Sequence, residues 1–323
     1  MIDAPSTKAP ANASIDRFNV PQAAHTAPGQ GEEFADTTFY TFAPKNISGK
    51  VPILLFAHGF GQDVPGSAFL AQSIADGGYL VVAFGRTADL AYNFFWIMAG
   101  LNGCGRSETL SFDGKHLLAT LKYAKEEASS NGSSPLAKYG DAKKIAVMGF
   151  SMGGMEVMNC VASAPANDIS AVIFLSPGIA TIIVTVVKMW YPTMKGSAKA
   201  ATQPGLFLTA EGDFLQAATG DWSKHWGGDA KLLTIKESAL DLDNPFTKAG
   251  SHFLPLIWRP CGDRVTHLAQ HFALGGEEKS VSHVPVLAFL DSVFKGKAFT
   301  VDQSILADNS SIGCWPMCCM RAC

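Results

Sequence analysis

This sequence predicts an α/β fold in which a central, mostly parallel twisted sheet carries helices on both faces. Three observations lead there. Short, nearly continuous apolar runs recur along the chain, and segments of helical period separate them. In addition, 47% of the residues are hydrophobic against 16% charged, enough apolar material for a large core. Runs that do not alternate polar with apolar suit strands covered on both faces. Strands that alternate with helices read as crossover units of a parallel sheet.

Taken in order, residues 1–34 are rich in Pro, Ala, Ser and Gln and read as an extended N-terminal arm. Strand-like material starts with TTFYTFA (37–43). It continues with VPILLFA (51–57), YLVVAF (79–84), KIAVMGF (144–150), AVIFLS (171–176), GLFLTA (205–210) and KLLTIK (231–236). Helical spacing marks SAFLAQSIADG, GKHLLATLKYAKEEA, SMGGMEVMNCVASA and HVPVLAFLDSVFKG. A chain of 323 residues could hold two domains by length, but one sheet of this kind often reaches that size. The expectation is therefore a single α/β domain over 35–300, followed by a Cys-rich tail over 301–323.

Composition narrows the function. A formal charge of -3 offers no concentrated basic face for nucleic acid or an anionic membrane. The longest apolar run, Gly178 to Trp190, contains a lysine and is too short to span a bilayer, so no integral membrane association is expected. Of the seven cysteines, Cys104, Cys160 and Cys261 are dispersed, while Cys314, Cys318, Cys319 and Cys323 crowd the tail. Structural zinc sites bring together two separated pairs, a spacing the tail lacks. Disulfides tying it to the body of an exported protein fit better, and an odd total leaves one thiol unpaired in a monomer. Sequons at Asn12, Asn46, Asn131 and Asn309 lean towards secretion, although the N-terminus lacks the basic-then-apolar pattern of a signal peptide.

The chemistry gathers around VMGFSMGGMEV (147–157), a Gly-x-Ser-x-Gly where a strand-like run ends and a helical one begins. A serine at that sharp turn is held as an exposed nucleophile, with small neighbours (Gly149, Gly153, Gly154) because helix and strand pass close together. The plain alternative is a helix N-cap serine. A nucleophilic hydroxyl needs a base and an acid to orient it, in the chain order Ser, Asp/Glu, His. Asp213 follows the run GLFLTAEG, with Glu211 as the alternative acid. His252, in the glycine-containing loop KAGSHFLP, meets both the order and the loop requirement for the base. His267 and His271 are four apart, but Leu268 removes the glutamate of an HExxH metal site, so a surface helix is the better reading. His225 and His283 read as packing or surface residues.

An acyl-transfer oxyanion needs two preorganised amides, each worth about 3 kcal/mol. Met152, just after the nucleophile, supplies one, and Phe60 in the loop HGFGQD (58–63) supplies the other. That loop lacks the spacing of a phosphate cradle, and neither a cofactor nor a metal is called for.

With these residues in place the chain resembles the α/β-hydrolase superfamily over roughly 36–296, on PILLFAHGFGQD, GFSMGGMEV, TAEGDF and AGSHF. Within it the pattern is similar to serine esterases grouped around cutinase-like polyester hydrolases and chlorophyllases. Ser-Met-Gly-Gly matches the polyester hydrolases, whereas Phe150 stands where they carry His or Trp, and Phe150 and Met152 both depart from chlorophyllases. A serine nucleophile separates the chain from dehalogenases and epoxide hydrolases, which use aspartate, and from dienelactone hydrolases, which use cysteine. The resemblance implies a carboxylic-ester hydrolase working through a Ser151–His252–Asp213 triad and an acyl-enzyme. Its substrate would be a small-molecule or polymeric ester with short to medium acyl or aromatic groups, and a C-terminal disulfide is implied as well. Phe60, Phe95, Trp96 and Trp190 are candidate substrate walls, or else ordinary core. Chlorophyllase-like, lipase and thioesterase activities share the same triad, and a catalytically silent binding module is the reading from another class.

Overall fold

A computed structural model of the protein describes residues 16–19, 38–44, 47–59, 67–85, 114–177, 196–211, 213, 216–236 and 281–307. Eight strands among them form one sheet: β1 (Asp16–Asn19), β2 (Thr38–Phe42), β3 (Val51–Ala57), β4 (Leu80–Gly85), β5 (Gly140–Phe150), β6 (Ala171–Leu175), β7 (Gly205–Ala210) and β8 (Ala230–Ile235). Their spatial order is β1-β2-β4-β3-β5-β6-β7-β8. Strand β2 pairs antiparallel with β1 and β4, and every pairing from β4 through β8 is parallel.

Helices cover both faces because the strands bury both sets of alternate side chains. Ile53, Leu55 and Ala57 of β3 point into one cluster, Leu54 and Phe56 into the other. Helix α1 (Ala68–Asp76) and α6 (His283–Lys295) supply Leu70, Ile74, Val286, Phe289 and Leu290 to the second cluster. The first cluster takes Leu117 and Leu121 from α2 (Lys115–Ala128), Met155 and Met158 from α4 (Met152–Ser163), and Trp222 from α5 (Gln216–His225). The short α3 (Pro135–Tyr139) has proline in its first turn, and the Ser134 hydroxyl caps it by accepting from the Ala137 amide at 3.1 Å.

Irregularities follow from local chemistry. Pro52 has no N–H to give a ladder, and β3 slips in register against β5 between Pro52 and Ile53. Beneath the α1–β4 turn, buried Tyr79 donates to Asp291 Oδ1 at 2.7 Å, and Lys295 and Lys297 each reach the same carboxylate at 2.6 Å. Desolvation works against ionising Asp291, but the hydrogen bonds from Lys295, Lys297 and Tyr79 outweigh it and draw the carboxyl down to about 2.

Two boundaries differ from the expected ones. The arm expected over 1–34 contains β1, whose Arg17 pairs with Tyr40 and Phe18 with Phe39. At the other edge, the tail expected from 301 begins on the sheet. Leu306 bridges Ile235, Lys236 donates to the Ile305 carbonyl at 2.9 Å, and Ala307 donates to the Thr234 carbonyl at 2.8 Å. Both additions give an outer strand a partner for its unpaired backbone groups.

Candidate active site

Successive connections leave β3 and β5 towards opposite edges of the sheet, which makes their adjacent carboxyl ends the topological switch point where open α/β sheets hold their ligands. The chain that leaves β5 there turns abruptly at Ser151 and enters α4 at Met152. Ser151 holds φ 51° and ψ -118°, outside the β-region usual for an N-cap, and its side chain makes no capping hydrogen bond. Such a backbone stores about 1–3 kcal/mol of strain in a non-glycine residue.

Close approach explains the glycines around it. A Cβ on Gly149 would meet Gly154 Cα at 2.6 Å, and one on Gly153 would meet the His58 carbonyl oxygen at 2.7 Å. Pro177 Cβ would lie 2.6 Å from a Cβ on Gly154. Helix α4 therefore sits directly on the carboxyl end of β3, with its N-terminal dipole at the serine. The β3 exit presses back. A Cβ on Gly59 would lie 2.6 Å from the Phe150 ring and 3.1 Å from Ser151 Cβ.

A strained strand-to-helix serine, on a sheet in this order with β2 alone reversed, decides the fold. This is the α/β-hydrolase fold. No protein-family model matches the sequence, and no curated protein matches it. Solved structures do match. A dienelactone hydrolase from Anabaena variabilis ATCC 29413 shares 13% identity over 69% of this chain and 87% of its own, with a TM-score of 0.48. Est1E from Butyrivibrio proteoclasticus shares 20% identity over 62% of this chain and 84% of its own, with a TM-score of 0.44. At such distances the fold assignment rests on strand order and the elbow.

Along the same edge of this hydrolase-fold sheet the exits are tied to one another like steps. The Ser151 amide donates to the Leu175 carbonyl at 2.9 Å, Ser176 to Leu208 at 2.7 Å, and Glu211 to Ile235 at 2.7 Å. Asp213 is 5% exposed, at the exit of β7. Its amide donates to the Ala210 carbonyl at 3.1 Å, and its own carbonyl accepts from Gln216 at 3.0 Å where α5 starts. The Ser176 hydroxyl donates to Asp213 Oδ2 at 2.6 Å. Glu211, the alternative acid, is exposed.

Met152 is the first residue of α4, where a helix leaves its amides without partners inside itself. His252, Phe60, Phe95, Trp96 and Trp190 lie outside the described residues, as do His267, His271 and all the cysteines except Cys160. His225 ends α5, its Nδ1 2.7 Å from the Asp221 carbonyl oxygen, and His283 meets Phe69 edge-on at 6.3 Å. Cys160 is a free, buried thiol whose pKa is pushed up by desolvation and by the Glu156 carboxylate. Among the described residues, no group of three His, Cys, Asp or Glu could hold a metal ion, and no helix is long and apolar enough to cross a membrane.

Ser176 and Thr209 entered the site without notice from the sequence. The available signal was a hydroxyl closing AVIFLS, next along the sheet to the run that ends at Ser151.

Proposed function

We propose that this protein is a serine carboxylic-ester hydrolase. Ser151 attacks the ester carbonyl, and His252 takes its proton and passes it to the leaving alcohol. Asp213 holds the imidazole in the tautomer that can accept. Amides of Phe60 and Met152 receive the oxyanion, and water then resolves the acyl-enzyme by the reverse proton path. The observation that carries this reading is the Ser151 backbone. A serine needed only to cap a helix has no reason to sit at φ 51° with no capping bond, whereas Ser134 caps α3 from ordinary extended backbone.

Burial and the Ser176 donor favour Asp213 over exposed Glu211 as the acid. Strands β5 and β7 are separated by β6 alone, so their exits lie roughly 10 Å apart at about 4.8 Å per strand. That gap fits a serine, one imidazole ring and a carboxylate in line. Phe60, Phe95, Trp96 and Trp190 would form walls suited to short or medium acyl and aromatic groups, as in cutinase-like polyester hydrolases. Chlorophyllase-like, lipase and thioesterase specificities remain outcomes of a substrate panel, because the triad chemistry is common to all of them.

The test is hydrolysis of p-nitrophenyl acetate and butyrate. Ser151→Ala should lose about 10⁴-fold or more in kcat. Full turnover by that variant rejects the assignment, and wild-type protein inert towards every ester and thioester points to a silent binding module.

A further inference from the structure

Ser151 and Ser176 are the two non-glycine residues with positive φ among the described residues. They stand at the exits of adjacent strands, on one edge of the sheet. The first strain has an explanation in the elbow. The second, φ 39° at a serine with no exposed surface, has none in the Ser151, His252 and Asp213 chemistry.

Strain of this kind persists where surrounding bonds overdetermine the residue. At Ser176 they do. Its amide is fixed to the Leu208 carbonyl at 2.7 Å, and its hydroxyl lies 3.1 Å from Thr209 Oγ1 and 2.6 Å from Asp213 Oδ2. A hydroxyl has one proton, so the bond to the carboxylate uses it and leaves the Ser176 oxygen to accept from Thr209. Thr209 is itself fully buried on β7. The result is a directed relay, Thr209 to Ser176 to Asp213, ending in a charge-assisted bond of the shorter and stronger kind. Leu175, the residue just before Ser176, also anchors the Ser151 amide.

We propose that Ser176 is a positioning residue. It holds the Asp213 carboxylate in fixed register with the Ser151 elbow and withdraws charge from the oxygen it engages. This deepens the esterase reading and rests on it. A purely structural role would alter stability alone. A positioning role also alters the base, because a carboxylate relieved of one donor stabilises the neighbouring imidazolium more strongly.

The experiment compares Ser176→Ala, Ser176→Gly and Thr209→Val with wild type, using p-nitrophenyl butyrate turnover across pH 5–9 and the rate of labelling by a fluorophosphonate. Ser176→Gly removes the hydroxyl while relieving the positive φ, so it keeps the test readable if Ser176→Ala folds poorly. Expected for both Ser176 variants is a loss of about 10- to 100-fold in kcat with KM within about twofold, in line with outer-shell partners elsewhere. The acid limb of kcat/KM should move upward by about half a unit. Thr209→Val should give a smaller change in the same direction. Wild-type kcat and an unmoved acid limb in Ser176→Gly, with Ser151 still labelled, overturn the positioning role alone. A wild-type protein that neither labels nor hydrolyses esters overturns the esterase reading and this role with it.

Discussion

Alanine at Gly153 isolates the contact on which the elbow depends. The added Cβ would meet the Ala57 carbonyl oxygen first, closer than the His58 carbonyl oxygen at 2.7 Å, and even the latter is about 0.7 Å short of the 3.4 Å at which ordinary contact begins. No flexible side chain can yield there, so α4 or the end of β3 must shift. Alanine would gain about 1 kcal/mol over glycine in helix propensity, while overpacking of rigid neighbours costs about 1–3 kcal/mol. The balance is a destabilisation of up to about 2 kcal/mol. Activity should suffer more than stability, because the displaced atoms carry Ser151 and lead into the loop proposed to receive the oxyanion. Misplacement by about 1 Å can cost 100-fold in rate. Gly220 in α5 provides a matched control, since a Cβ there meets only Leu232 Cδ2 at 3.9 Å. Gly220→Ala should therefore stabilise by about 0.5–1 kcal/mol and leave kcat unchanged. Thermal unfolding and ester turnover on the two variants decide the matter. Gly153→Ala with wild-type kcat and a raised Tm would refute the close approach of α4 to β3.

Other predictions rest on groups outside the site. Because the folded Asp291 carboxyl lies near 2 and an unfolded one near 3.9, its stabilising effect is complete above about pH 4 and is lost as pH falls towards 2. Asp291→Asn should thus lower Tm at pH 7, and the difference from wild type should close by about pH 2; a gap independent of pH contradicts the charge network. Cys160, buried with its thiol pKa raised, should stay unmodified in native protein treated with iodoacetamide at pH 8 and react once the chain is unfolded, as read by peptide mapping. Rapid native labelling of Cys160 would mean that α4 does not pack as described.

The sheet was legible because its strands are buried on both faces. Runs such as VPILLFA and GLFLTA carry that signal with no help from neighbours, and each appears as a strand over the same residues. Elements held by tertiary contact left no such trace. Strand β1 reads DRFN, four residues with one aromatic, and it exists because β2 offers an edge. Helix α5, QAATGDWSKH, has no apolar stripe and is held chiefly by Trp222. At the candidate site, the glycines around Ser151 were legible because their necessity is steric, and Asp213 drew notice only by its place after a buried strand. Ser176 could not be read in the same way, since a single serine after AVIFL gains meaning only when β6 lies between the other two strands.

The most direct test of the central claim is to treat the full chain with a fluorophosphonate and locate the adduct by mass spectrometry. Activation of one serine by an imidazole predicts a single adduct on Ser151, formed at a rate that falls below about pH 6.5 and is abolished in His252→Ala. Ester turnover that persists with Ser151 unmodified, or an adduct on some other serine, would contradict it.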